Sequence, residues 1–194
     1  MKTIFLIPGF MEKASDRRFS VLGKFLQKKG FSVKKVPIQW KRRIMSDYTA
    51  EFKNFFEKNK SGKNYILGFS FGAMIALVTA AELKPEKIYL CSLSPYFAED
   101  KKWILALPSY ARRIIGKRRI ADFLTRRGRE IARKLAVSAV VFYGEAEGKR
   151  FPDIKIRAEE TVRFAKNARL VVIKNAPHDL NHPEYEKTVM SQFK

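Results

Sequence analysis

The sequence predicts an α/β fold: a three-layer α/β/α sandwich built on a six-stranded, mainly parallel sheet. Three observations predict it. Apolar runs of strand length alternate with longer segments whose apolar residues recur at helical spacing, an order that builds a parallel sheet wrapped on both faces. The runs are continuous rather than alternating, as in Ile4-Phe5-Leu6-Ile7, which is the pattern of strands covered on both sides. Finally, Pro8-Gly9-Phe10, Ser70, Glu145, Glu147 and His178 all stand just after such runs. Carboxyl ends of parallel strands share one rim, so these residues can meet there.

Taken in order, residues 3–7 form the first strand, broken by Pro8-Gly9-Phe10-Met11. Ser15 or Asp16 caps a helix running to Lys29, with Phe19, Val21, Leu22, Phe25 and Leu26 as its stripe. Gly30 stops it. Val33 to Trp40 reads as a second strand, with Pro37 favouring an edge. Tyr48, Phe52, Phe55 and Phe56 mark the next helix, capped near Ser46 or Asp47 and ended at Ser61-Gly62. Tyr65 to Leu67 leads into Gly68-Phe69-Ser70-Phe71-Gly72, and a helix of small and apolar residues follows to Lys84-Pro85. Lys87 to Leu93 is a fourth strand. Residues 96–136 then form a basic helical insert, divided by Pro108 and Gly116 into two or three short helices. Val137 to Tyr143 is the fifth strand, Ile156 to Ala165 a helix, and Leu170 to Ile173 the sixth strand. Pro183 opens the last helix, where its missing N–H costs nothing.

With 194 residues, 46% of them hydrophobic, the chain fits one domain (1–194) with a substantial core, and global disorder is excluded. No apolar run reaches bilayer length, and the opening run stops at Pro8-Gly9 without a small-residue cleavage site. One cysteine, Cys91, excludes an internal disulfide and is compatible with a reducing cytoplasm, the location expected for this chain. The net charge of +21 points either to an anionic partner or to a solvated basic surface.

The strand–turn–helix context of Gly68-x-Ser70-x-Gly72 marks a nucleophile elbow, in which a strained serine lifts its hydroxyl above the sheet edge. Glycines flank it because a β-carbon would collide where strand meets helix. The following helix begins just past Ser70, so its N–H groups and dipole face any negative charge that develops. A serine hydroxyl needs an adjacent base. Of the two histidines, His178 follows the sixth strand, whereas His182 precedes Pro183 and suits a helix cap. An acid between Ser70 and His178 in sequence is then needed to hold the imidazole tautomer. Tyr143-Gly144-Glu145-Ala146-Glu147-Gly148 offers two carboxylates there, and Asp153 and Asp100 are further choices. Asp179, beside the histidine, suits a local loop contact.

Here the chain resembles a small serine hydrolase of the α/β-hydrolase superfamily. The resemblance covers most of the chain, with Ser, acid and His in the family's order at strand ends. It implies a minimal six-stranded version that lacks the two N-terminal antiparallel strands of larger members. It also implies an acid about three residues past a strand-terminal glycine, which points to Glu147 over Glu145, Asp153 and Asp100, although aspartate is commoner there. Pro8-Gly9-Phe10 resembles the family's His-Gly-x turn, so the backbone N–H groups of Phe10 and Phe71 would form the oxyanion hole. The 96–136 insert matches the variable cap. The implied activity is cleavage of a carboxylic ester or thioester through an acyl-enzyme, needing no metal or cofactor.

Within the insert, Trp103, Leu107, Tyr110, Ile114, Phe123 and Leu124 are candidates to line an acyl tunnel or simply to pack the cap down. From Lys101 to Lys134 twelve Lys or Arg face two acids, Asp122 and Glu130, so this stretch alone carries +10. The arginines at 112, 113, 118, 119, 126, 127 and 129 suit an anionic acyl substrate, acidic lipid, or plain solvation. The rival reading is a non-catalytic protein of the same fold that binds nucleic acid or an acidic membrane surface through this cap. Against nucleic acid stands the absence of any recognisable binding motif.

Overall fold

The structure is a computed structural model that describes residues 1–193. Strands β1 (Lys2–Ile7), β2 (Phe31–Lys35), β3 (Lys63–Phe69), β4 (Lys87–Cys91), β5 (Ser138–Gly144) and β6 (Ala168–Ile173) form one sheet in the order β2-β1-β3-β4-β5-β6. Every pairing is parallel, so "mainly parallel" tightens to wholly parallel. The register puts Leu6 beside Leu67 and Cys91 beside Phe142, which brings the ends of β1, β3, β4 and β5 to one edge.

Helices cover both faces. On one lie α1 (Arg17–Lys28) and α10 (Pro183–Met190), whose Phe19, Leu22, Leu26, Tyr185 and Val189 bury against Ile4, Leu6, Leu67 and Phe142. The other carries α2 (Met45–Asn59), α3 (Phe71–Leu83) and α9 (Pro152–Phe164) over Phe5, Ile66, Leu90 and Val141. Helix α3 is apolar on all sides up to Glu82 near its end, as befits one enclosed between sheet and neighbours. Among the described residues no helix is long and apolar enough to cross a membrane.

Three boundaries differ from the sequence pattern. The second strand is Phe31–Lys35, not Val33–Trp40, because Pro37 lacks the N–H a ladder needs and Val36 gives the last bond, from its N–H to the Leu6 carbonyl. The helix expected from Ile156 starts at Pro152, and a further short helix, α8 (Glu145–Arg150), precedes it. The 96–136 segment holds four helices, α4 (Lys101–Ala106), α5 (Ser109–Ile115), α6 (Lys117–Phe123) and α7 (Gly128–Arg133), after a single 3₁₀ turn at Ala98–Asp100. Tight turns at Pro108, Gly116 and Arg127 interrupt what would otherwise be continuous helical spacing.

This segment is fastened by a buried charge cluster. Arg157 of α9 pairs with Asp100 at 2.5 Å and with Glu160 at 3.0 Å, and its guanidinium lies over the Phe97 ring. Asp100 also accepts the Phe97 N–H at 2.9 Å. Burial pushes the Asp100 carboxyl up, against the pull of Arg157. Arg157→Met would strand that carboxylate, and loss of one partner of a buried pair typically costs about 3 kcal/mol or more. Denaturant unfolding at pH 7 should show that loss. Asp100 binds its proton more tightly folded than unfolded, so its contribution to stability is fully present below the ordinary carboxylate pKa and is lost as pH rises through the raised value. Arg157 is what pulls that pKa down, so the variant raises it further, and the deficit should shrink in acid, where the carboxyl is protonated in both proteins. A deficit that is the same at both pH values would place the damage in packing instead.

Candidate active site

Ser70 stands between β3 and α3 with φ 55° and ψ −115°, a conformation that costs a non-glycine residue roughly 1–3 kcal/mol. Its surroundings enforce it. A β-carbon on Gly68 would lie 2.2 Å from the Gly72 carbonyl oxygen, and one on Gly72 would lie 2.3 Å from that of Ile7. The Ser70 N–H is tied to the Cys91 carbonyl at 2.8 Å, so β4 also holds the turn. The Ser70 hydroxyl is hydrogen-bonded to the Ser94 hydroxyl at 3.0 Å, not to His178.

His178 reaches the same rim through Asn175, which takes a left-handed φ of 55°, and Pro177. Its ring lies 4.9 Å from that of Phe69, and Nδ1 is hydrogen-bonded to Oε1 of Glu147. Glu147, 1% exposed, sits in the first turn of α8. Its Oε2 accepts the Gly144 N–H and the Ser92 hydroxyl, each at 2.9 Å. Ser92 has a single hydroxyl hydrogen, given to Glu147, so the Tyr185 hydroxyl 2.8 Å away donates to Ser92. Burial, with Cys91 and Glu147 nearby, raises the Tyr185 pKa well above its ordinary value and keeps that proton in place. Two backbone contacts bring Glu147 and His178 together. The Glu147 N–H bonds the Ala176 carbonyl at 3.1 Å, and a β-carbon on Gly144 would lie 2.1 Å from that same oxygen.

The other carboxylates are engaged elsewhere. Glu145 accepts the Asn175 N–H and pairs with Lys149, Asp100 holds Arg157, and Asp153 lies in a separate surface depression beside Arg157. Asp179 accepts the Asn181 N–H within its own loop.

Ser70 and His178 line one cavity of about 380 Å³, together with Gly9, Phe10, Phe71 and Ser94. The loop after β1 is braced by Glu12, which accepts the Gly9 N–H on its carboxylate and the Trp40 indole N–H on its carbonyl, both at 2.9 Å. The Phe10 ring stacks on Phe71 at 4.9 Å, and the Arg119 guanidinium lies over the Phe10 ring, 5.0 Å from its centroid. Phe71 is the first residue of α3, so no helical carbonyl lies four residues back to take its N–H.

Tyr96, Trp103, Leu107 and Ala111 of the 96–136 segment wall the cavity, together with Phe151 and Ile154. Tyr110 does not line it. At the start of α5 it is 69% exposed, because the next residue, Ala111, is the one turned to the cavity. Phe123 is buried among Phe71 and Tyr96 rather than in the cavity wall. Burial raises the Tyr96 hydroxyl to about 12. Sequence reasoning missed Ser92, Ser94 and Tyr185. The first two follow β4, the neighbour of the elbow strand, and sheet order would have placed them at the rim. Nothing in sequence marked Tyr185.

No protein-family model matches the chain, and no curated protein is significantly similar to it in sequence. Solved structures are similar in fold. Est1E from Butyrivibrio proteoclasticus, with ferulic acid bound, superposes with a TM-score of 0.80 at 14% identity, over 100% of this chain and 87% of its own. The esterase EaEST from Exiguobacterium antarcticum gives 0.74 at 15%, over 100% and 92%. The esterase Pf2001 from Pyrococcus furiosus gives 0.69 at 18%, over 98% and 79%.

Proposed function

We propose that this chain, which has the α/β-hydrolase fold, is a serine hydrolase that cleaves a carboxylic ester or thioester. The observation that carries the reading is the Glu147–His178 contact at the edge of the cavity that Ser70 also lines. Glu147 holds the Nδ1 proton, which leaves Nε2 of His178 as the acceptor. The reaction requires the Ser70 hydroxyl to leave Ser94 and turn toward that nitrogen, across the cavity that both residues line. As Oγ attacks the carbonyl carbon, its proton passes to Nε2, and the N–H groups of Phe10 and Phe71 hold the oxyanion. Collapse breaks the carbon–oxygen or carbon–sulfur bond, and the leaving group takes the proton from His178. Water then attacks the acyl-serine by the same route, releasing the carboxylic acid and restoring Ser70. That Pf2001 and EaEST are esterases supports ester over amide. The mostly apolar wall from Trp103, Leu107 and Ile154 favours a hydrocarbon acyl chain, with the 96–136 segment as cap.

A fluorophosphonate probe tests this directly. It should modify Ser70 in the wild-type protein, and neither Ser70→Ala nor His178→Ala should react comparably. Peptide mapping that finds the adduct on another serine, or on none while the protein is folded, would overturn the proposal.

A further inference from the structure

Between Lys101 and Ala121 the chain carries seven Lys or Arg and no Asp or Glu. Six are exposed, and the seventh, Arg119, reaches inward to Tyr48 and Trp40. Apolar side chains are exposed in the same stretch: Ile114 is 65% and Leu105 48% exposed, alongside Tyr110. At roughly 100° per residue, Tyr110 and Ile114 share one side of α5, Ala111 and Ile115 the adjoining side, and Arg112 and Arg113 the remainder. Ala111 lines the Ser70 cavity and Ile115 is buried, so the apolar arc of α5 is wider than the part the protein covers.

An uncovered apolar arc edged by cations matches a lipid interface, with apolar side chains below the headgroups and cations at the phosphates. A second copy is disfavoured, since each carries a net +21. Nucleic acid would satisfy the cations and leave Leu105 and Ile114 in water. We infer that the α4–α5 face docks on an anionic lipid bilayer. Resting on the hydrolase reading above, the acyl substrate is then an ester or thioester carried in that bilayer, because the same segment both meets the lipid and walls the cavity through Trp103, Leu107 and Ala111.

The test is co-sedimentation of the full chain with vesicles of phosphatidylcholine containing phosphatidylglycerol, against phosphatidylcholine alone. The anionic vesicles should retain the protein and the neutral ones should not. Arg112→Gln with Arg113→Gln should weaken that partitioning by about tenfold or more. Leu105→Ser with Ile114→Ser, all at exposed positions, should weaken it by about tenfold. Lys84→Gln, away from the face, should leave it unchanged. Equal retention on both vesicles, no retention, or a Leu105/Ile114 variant that binds like wild type would each overturn the docking. Tight duplex-DNA binding without vesicle binding would assign the face to nucleic acid instead. Turnover separates the two readings. The Leu105/Ile114 variant should match wild type on a soluble short-chain p-nitrophenyl ester and lose about tenfold on a vesicle-borne ester, in step with its partitioning. Vesicle binding by a wild type that hydrolyses neither ester removes the hydrolase and keeps the docking; soluble turnover without vesicle binding does the reverse.

Discussion

Glu147→Gln should lower kcat on a p-nitrophenyl ester by about 10⁴-fold while leaving the unfolding midpoint nearly unchanged. The hydrogen bonds around this side chain explain why an isosteric change would be so damaging. Two donors, the Gly144 N–H and the Ser92 hydroxyl, converge on Oε2, and that position must remain an acceptor. Glutamine would place its carbonyl oxygen there and turn its NH₂ toward Nδ1 of His178. Nδ1 would then have to accept, the ring proton would move to Nε2, and the base would be blocked where it must receive the Ser70 proton. Glu145→Gln serves as the comparison, because that carboxylate meets Lys149 and the Asn175 N–H and does not touch the imidazole. It should retain activity within about twofold, since surface changes away from a site rarely matter. Comparable activity in both variants would remove Glu147 from the mechanism.

The second large effect is on folding. Gly72→Ala should destabilise the protein by more than about 4 kcal/mol, enough to empty the native state of most domains. The added methyl would lie 2.3 Å from the Ile7 carbonyl oxygen and 2.6 Å from that of Pro8, both backbone atoms at the end of a central strand. Neither can swing aside like a side chain. Relief requires β1 and α3 to separate, which would open the core between Ile7, Ala73 and Met74 and move the Gly9-Phe10 loop. The same substitution at Gly23, within α1, should have the opposite sign. Its nearest neighbours would be side-chain atoms at 3.7 and 4.0 Å, and alanine is the better helix former by about 1 kcal/mol. Urea denaturation of the two variants measures the contrast. A Gly72→Ala protein as stable as wild type would show that strand and helix do not approach as described.

Both predictions start from residues that were visible in sequence and reach their size only through tertiary contacts. Gly68, Ser70 and Gly72 could be singled out because a strained turn between strand and helix restricts residue type locally. His178 could be singled out because only two histidines exist and one of them precedes a proline. The choice among Glu147, Glu145, Asp153 and Asp100 was open on the residues alone, since the rim admits several carboxylates at similar sequence distance. The resemblance favoured Glu147. Its geometry depends on α8, a helix too short to show a period, which turns the third residue past β5 inward and leaves Glu145 beside Lys149. Tyr110 shows the same limit from the other side. Helical spacing grouped it with Trp103 and Leu107, but the break at Pro108 rotates α5 so that Ala111 faces the cavity instead.

By itself the sequence determined the layered parallel fold, the elbow at Ser70 and the carboxyl-edge location of the candidate groups, because continuous apolar runs, glycine at crowded turns and strand-end chemistry are local constraints written residue by residue. Tertiary structure alone decided that Ser92 and Tyr185 stand behind Glu147, that Ser94 holds the Ser70 hydroxyl, and that Arg157 locks the 96–136 segment. These are contacts between residues 24 to 93 positions apart, set by how the sheet orders its strands and how helices cross it, and no local pattern encodes them.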